Sequence, residues 1–365
     1  MSSQPAPAVQ PAAQPAVQPA AQSATVMASE IAEQPEAARR TLEHLVPLTA
    51  DLQEVVAGRR RVLFVARGSS DNAAVYGRYL LEVVAGVPAA LAAPSVATHY
   101  RSRLDLSDTT VVSVSQSGAT AEIVETQEWA RACGAATVAV TNEAASPLAE
   151  AADVALVTQA GREVAVPATK SYLTQMLALG VVAHALAPDE GLADDLGLVP
   201  DAVSRLLDTD VAAAAAALAS VERVVVSGRG LLLGTALETA LKLEETCLRP
   251  VRGYSYADLR HGPISVVGEG VLAVLVASGR GPLAEPMVEL AADLRERGAR
   301  VVGIGGTPDL AELCEVHLPG PDLPEPVEPV AGIVPSQLMI ERLARLLGLD
   351  PDSPRGLAKV TRTDA

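Results

Sequence analysis

Residues 61–84 read RVLFVARGSSDNAAVYGRYLLEVV, a short β-branched run, a Gly/Ser turn and a stretch whose apolar positions recur at helical spacing. The same grammar returns in residues 223–245, RVVVSGRGLLLGTALETALKLEE. A second pair of segments repeats strand, turn, helix and strand: TTVVSVSQSGATAEIVETQEWARACGAATVAVTN at 109–142 and GVLAVLVASGRGPLAEPMVELAADLRERGARVVGIGG at 270–306. Both comparisons share an offset of about 160 residues, too long for a solenoid repeat and right for a duplicated domain. Buried strands alternating with helices imply an α/β fold, with a parallel sheet covered by helices on both faces in each half. Ligands of such sheets sit at the carboxyl ends of the strands, where the Gly/Ser turns fall, so those turns are where chemistry is expected.

The chain has 365 residues, a length that suits two domains. Hydrophobic residues at 49% and charged residues at 20% describe a soluble globular protein, and the formal charge of -16 disfavours nucleic acid and anionic membrane as partners. An anionic ligand therefore needs a local site rich in N–H groups or positive charge. Aromatic residues make up 2%, so the core must be built from Ala, Val and Leu, and stacking platforms for bases are scarce. Cys133, Cys247 and Cys314 lie far apart without metal-ligand spacing, which fits a reducing cytoplasm and gives no expectation of a metal or cofactor. No stretch approaches the roughly 20 apolar residues of a membrane span, and VAAAAAALA at 211–219 reads as a helix surface packed in a bundle. Residues 1–26 have neither the basic start nor the apolar core of a signal peptide, and their Ala/Pro/Gln repetition reads as a disordered tail. ASEIAEQPEAARRTLEHLV at 28–46 begins a first helix near Ser29. The expected division is a first domain over 27–200, a second over 201–350, and a C-terminal tail over 351–365.

SQSGAT, Ser115 to Thr120, follows a Val-rich strand and opens a helix. Its Ser115, Gln116, Ser117 and Thr120 side chains, with the backbone N–H groups of a helix N-terminus, suit the oxygens of a phosphate monoester without any cation. It is neither a Walker A loop nor GxGxxG, so nucleotide readings are weak. Ser69 and Ser70 in RGSSDN form a companion turn.

Taken together, ASEIAEQP, RGSSDN, SQSGAT, AVPATKSY, ALETALKLEE, ADLRHGP and RGLAKV resemble, in this order, the isomerase half of the glucosamine-fructose-6-phosphate aminotransferase family, a pair of sugar isomerase (SIS) domains. The resemblance covers all but the N-terminal tail. It implies two tandem flavodoxin-like three-layer units that bind a phosphorylated amino sugar. It implies Glu245 as the proton-transferring base, His261 as the ring-opening acid/base, Lys242 beside the reacting carbons, and Lys359 in a C-terminal tail that closes over the sugar. Ser69, Ser70, Ser115, Gln116, Ser117 and Thr120 are then phosphate and sugar ligands, with Val166 and Ala168 lining the sugar pocket. The resemblance also brings His261 in from a neighbouring subunit, which implies an obligate homodimer.

An aldose–ketose conversion moves a proton between C1 and C2 and needs an enclosed carboxylate. Lys242 and Glu245 at i and i+3 share a helix face, so a positive charge can hold the enediolate while the carboxylate moves the proton; Glu244 faces elsewhere. Lysine occurs only at Lys170, Lys242 and Lys359, arginine supplying every other positive charge. Unlike arginine, lysine is a compact charge that can also lose its proton and attack a carbonyl, a reason for keeping it at a reacting centre. Lys170 could instead fix a loop through a single salt bridge. His44, His99, His184 and His317 read as structural and Cys247 as a core filler.

Two departures from the family stand out. The sequence begins Met-Ser-Ser and runs into the tail, without the glutaminase domain, so the expectation is that this chain does not draw ammonia from glutamine. AVPATK also stands where the family pattern is close to GVASTK; Pro167 and Ala168 stiffen the loop and remove a hydrogen-bond donor. Three functions remain in view: a glucosamine-6-phosphate deaminase/isomerase; a dehydratase or lyase on N-acetylglucosamine 6-phosphate that expels the 3-hydroxyl; and a non-catalytic sugar-phosphate sensor.

Overall fold

The computed structural model describes residues 24–359 and contains two five-stranded sheets, every strand pair of which is parallel. The first comprises β1 (Arg61–Val65), β2 (Ala89–Leu91), β3 (Thr109–Val114), β4 (Ala136–Thr141) and β5 (Val154–Val157), in the order β2-β1-β3-β4-β5. The second comprises β6 (Arg223–Gly228), β7 (Val251–Ser255), β8 (Val271–Ala277), β9 (Arg300–Gly305) and β10 (Val316–Leu318), in the order β10-β9-β8-β6-β7. Read from the opposite edge this is the same topology, and both are the flavodoxin-like order with its switch point beside the first strand. The registers repeat too, Arg61 pairing with Thr109 as Arg223 pairs with Val271. β3, β4 and β8 are buried at every position, as strands covered by helices on both faces must be.

The cores are built mainly of Ala, Val and Leu; the few large rings, Phe64, Tyr76 and Tyr172, are wholly buried in the first unit. The helix Lys170–Leu186 is apolar on nearly all sides and is correspondingly buried along almost its whole length, against the helices Gln34–Leu45, Ser69–Leu80 and Glu190–Leu206. No described helix is long and apolar enough to cross a membrane.

Three expectations need correction. The first helix is Val26–Ala32, starting before Ser29, because Thr25 accepts the Ala28 N–H and the Asp352 carboxylate accepts those of Val26 and Met27 at 2.9 and 2.7 Å. Thr25 and Val26 thus belong to the fold rather than to the expected tail over 1–26, whose first 23 residues lie outside the described ones. The division expected at 200/201 falls inside the helix Glu190–Leu206, which packs on Gln34–Leu45; the first unit extends to that helix's end. The alanine-rich stretch forms the helix Ala212–Ala219, packed on Val334–Leu346 as expected of a bundle surface.

The two units meet where the helix Leu233–Cys247 crosses Ser69–Leu80. Gly234 makes this possible, since a Cβ there would stand 2.6 Å from the Asn72 carbonyl oxygen and 3.1 Å from the Tyr76 nitrogen. The close crossing brings Lys242 and Glu245 to the strand ends of the first sheet.

Candidate active site

A cavity of about 360 Å³ opens at the carboxyl ends of β1 and β3. Its floor is the turn Ser115–Thr120 and the start of the Ser69 helix: Ser69, Ser70, Ser115, Gln116, Ser117 and Thr120 all line it. Gly118 sets the turn with φ +59°, and a Cβ there would lie 2.2 Å from Ser146 Oγ. Thr120 occupies the N-cap position of the helix Ala121–Ala132 but makes no side-chain cap bond, and Gly68 likewise leaves the first turn of Ser69–Leu80 without one. Two helix N-termini with uncapped N–H groups therefore converge on one cavity, a field that favours an anion. Arg67 also lines the cavity, with its guanidinium engaged by both Glu122 oxygens at 3.0 and 2.9 Å.

Glu245 and Lys242 enter from the second unit. Lys242 is 1% exposed and is held between two carboxylates of its own helix, Glu245, to which it donates a short hydrogen bond, and the buried Glu238 at 3.5 Å. Burial alone would lower the lysine's pKa, but the charges of Glu238 and Glu245 outweigh it and hold it above the ordinary value. Glu238 itself is raised, chiefly by burial, against the opposing effects of Lys242 and an Asn72 hydrogen bond at 2.8 Å. Lys242 is thus a fixed ammonium. The nucleophilic use considered from the sequence does not suit it, while the role of a positive charge beside the carboxylate does. Glu244 is exposed, on another face of the helix.

The opposite wall is formed by Val166, Ala168, Ser171, Glu163 and the residues Leu357 to Lys359. Lys359 donates to Glu163 Oε2 and to the Ala165 carbonyl, both at 2.7 Å. Glu163 is completely buried and also accepts from Thr169 N, Ser171 N and Ser171 Oγ at 2.9, 3.1 and 2.5 Å. Burial works to raise its pKa, but the Lys359 charge and these hydrogen bonds prevail and hold it below the ordinary carboxylate value. The wall is braced from behind: Glu30 accepts the Val164 and Ala165 N–H groups at 2.5 and 3.2 Å, and the Asp352 carbonyl accepts that of Val166 at 2.9 Å.

Every residue expected at the site therefore lines this cavity except His261. His261 is exposed, just after the helix Tyr256–Arg260, and does not border the cavity of its own chain. Sequence reasoning missed Arg67, Glu163, Ser171 and Glu238. A signal for Glu163 existed in its place five residues before Ala168 in the same loop. Lys170 makes the single ion pair envisaged, to Glu33 at 2.5 Å, tying the start of its helix to the junction of the first two helices. His99, His184 and His317 make local hydrogen bonds, and the Cys247 thiol is buried and pushed up to about 12. Among the described residues no group of three or more His, Cys, Asp or Glu side chains could hold a metal ion.

A family model described as the SIS domain matches twice, over residues 56–185 and 217–339, one match per sheet. The chain belongs to the SIS domain family. A curated relative, the glutamine–fructose-6-phosphate aminotransferase of Thermococcus kodakarensis, is 33% identical over 345 residues, 91% of this chain and 57% of that protein. This SIS chain thus spans little more than half the length of the relative. Among solved structures, the C-terminal domain of the glucosamine-fructose-6-phosphate aminotransferase of Francisella tularensis superposes with a TM-score of 0.81 at 26% identity, covering 90% of this chain and 98% of that one. The glucosamine-6-phosphate deaminase of Thermotoga maritima gives 0.73 at 26% identity, covering 93% of this chain and all of that one.

Proposed function

We propose that this SIS protein is an amino-sugar-phosphate enzyme of the glucosamine-6-phosphate deaminase/isomerase type. The observation that carries the reading is the convergence, in one cavity, of an uncharged phosphate-type cradle with Glu245, Lys242 and Lys359. The match to a deaminase over that protein's whole length supports it further.

In this reading the phosphate sits on the Ser115–Thr120 turn and the start of the Ser69 helix, and C1 and C2 face Glu245. His261 of a second copy opens the ring. Glu245 takes the C2 proton while the Lys242 ammonium holds the charge that develops on O1, and the proton is returned to C1. The resulting C2 imine adds water and releases ammonia, leaving fructose 6-phosphate. Lys359 completes the enclosure as a second cation.

One feature favours a second reading. Ala168 lines the cavity without a hydroxyl, which leaves space beside the sugar for an acyl group. On N-acetylglucosamine 6-phosphate the same proton abstraction would expel the 3-hydroxyl, because the amide nitrogen does not leave as ammonia.

Incubation with each sugar phosphate, with ammonia measurement and mass analysis of products, separates the readings. Glucosamine 6-phosphate is expected to give fructose 6-phosphate and equimolar ammonia. An unsaturated sugar formed from the N-acetyl compound without ammonia would replace this reading by the dehydratase; turnover of neither would favour a binding-only sensor.

A further inference from the structure

We infer that Glu163 is the positioning residue for Lys359, an inference that rests on the amino-sugar-phosphate reading of the cavity. Three segments meet at its carboxylate, two of them close in sequence and the third remote. The first is its own loop, which carries Val166 and Ala168 into the cavity; the second is the first turn of the helix Lys170–Leu186; the third is Lys359, 196 residues away. One oxygen, Oε1, accepts the Thr169 and Ser171 N–H groups. The other, Oε2, accepts from Ser171 Oγ and Lys359 Nζ.

This division of labour fixes both position and charge. Thr169 has no side-chain cap bond to its own helix, so Oε1 supplies the missing acceptor and is itself immobilised by doing so. Oε2 is then presented at a fixed point on the cavity wall, and with the Ala165 carbonyl it offers Lys359 two acceptors at 2.7 Å. The Ala165 carbonyl is fixed in turn, since the backbone N–H groups on either side of it, at Ala165 and Val166, are held by Glu30 and Asp352. Lys359 belongs to an otherwise exposed segment, Arg355 to Ala358, and this double hold is what keeps it at the cavity. A buried carboxylate is costly to leave without its cation, so the hold requires a positive charge at this point.

The test compares Glu163→Gln, Lys359→Met and the double variant in kcat and KM with the sugar phosphate that proves to be turned over. Glutamine keeps an oxygen for the helix start and removes the charge that holds the lysine. Glu163→Gln is expected to lower kcat roughly 10- to 100-fold, and the double variant to be no slower than Lys359→Met alone, because the two changes remove one function. A residue that merely supported the fold would multiply with Lys359→Met, and a multiplicative result overturns the inference.

Limited trypsin digestion reads the same hold without a substrate and in the unaltered protein, should Glu163→Gln fold poorly. Cleavage after the exposed Arg355 should outpace cleavage after Lys359 by about tenfold or more, the protection expected of a held side chain. Equal rates at the two sites would overturn the inference. A protected Lys359 in a protein that turns over neither amino-sugar phosphate would refute the proposed reaction while leaving the hold in place.

Discussion

Glu245 and Lys242 are one turn apart on a single helix, yet their surroundings differ: the lysine is 1% exposed, the glutamate 24%, on the side of the cavity. In the proposed reaction that asymmetry suits the carboxylate to proton movement and the lysine to fixed charge. Glu245→Gln keeps size and hydrogen bonding but removes the base, so kcat should fall by about 10²- to 10⁴-fold, the usual range for losing general-base catalysis. Binding of the sugar phosphate, measured by calorimetry, should change by less than about tenfold, since the cradle is untouched. An unaltered kcat would remove Glu245 from the mechanism. The residues that were legible in the sequence are those that reach the cavity from short local turns or from one helix face, such as Ser115–Thr120 and Lys242 with Glu245. Glu163 and Glu238 were not read, since both carboxylates matter through burial beside a lysine, although the i,i+4 spacing of Glu238 and Lys242 on one helix was itself a signal. For Glu163 that lysine lies 196 residues away.

The turns after β3 and β8 occupy equivalent places in the two units and have diverged in opposite directions. After β3 the turn is hydroxyl-rich and faces open space, with Ser69 and Ser70 beside it. After β8 the neighbours are Leu231 and Leu232, and the chain's own Glu328 carboxylate accepts from Ser278 Oγ and, at 3.4 Å, from Gly279 N. The second unit thus fills its anion position with a side chain, and the sheet order alone does not disclose which copy is open. Glu328 sits at 3% exposure, and burial, only partly offset by these hydrogen bonds and Arg280, raises its pKa to about 7. Because the folded pKa exceeds the unfolded value of 4.5, the folded state binds the proton more tightly. Stability from this group is therefore full below about pH 4.5 and declines as the pH rises to about 7, by about 3 kcal/mol at most. Glu328→Gln, which keeps an acceptor for Ser278, should remove that decline. In melting curves at pH 5 and pH 8 the variant should lose less stability between the two values than the parent protein; an equal loss would mean that Glu328 titrates normally.

At the scale of the molecule, a chain of net charge -16 lines its proposed anion site with neutral donors and two helix N-termini, whose local field favours an anion. The duplicated sheets were readable from the sequence because buried parallel strands are nearly continuous apolar runs, which a single chain records in full. How copies of the chain associate is not recorded in that way, since it depends on surface shape. His261 is the point where this matters: it is exposed, lies away from its own cavity, and belongs to the segment ADLRHGP, whose family resemblance implies delivery to a neighbouring subunit. If a second copy receives it, a homodimer has two sites, each combining Glu245 of one protomer with His261 of the other. Glu245→Gln and His261→Ala should then each be nearly inactive alone. After unfolding and refolding together in equal amounts, half of the dimers would be mixed, each with one intact site, so activity should return to about a quarter of the parent value. Action of His261 within its own chain predicts no recovery, because every site in the mixture would then lack either the base or the imidazole. The mixing experiment therefore distinguishes a shared site from two independent ones.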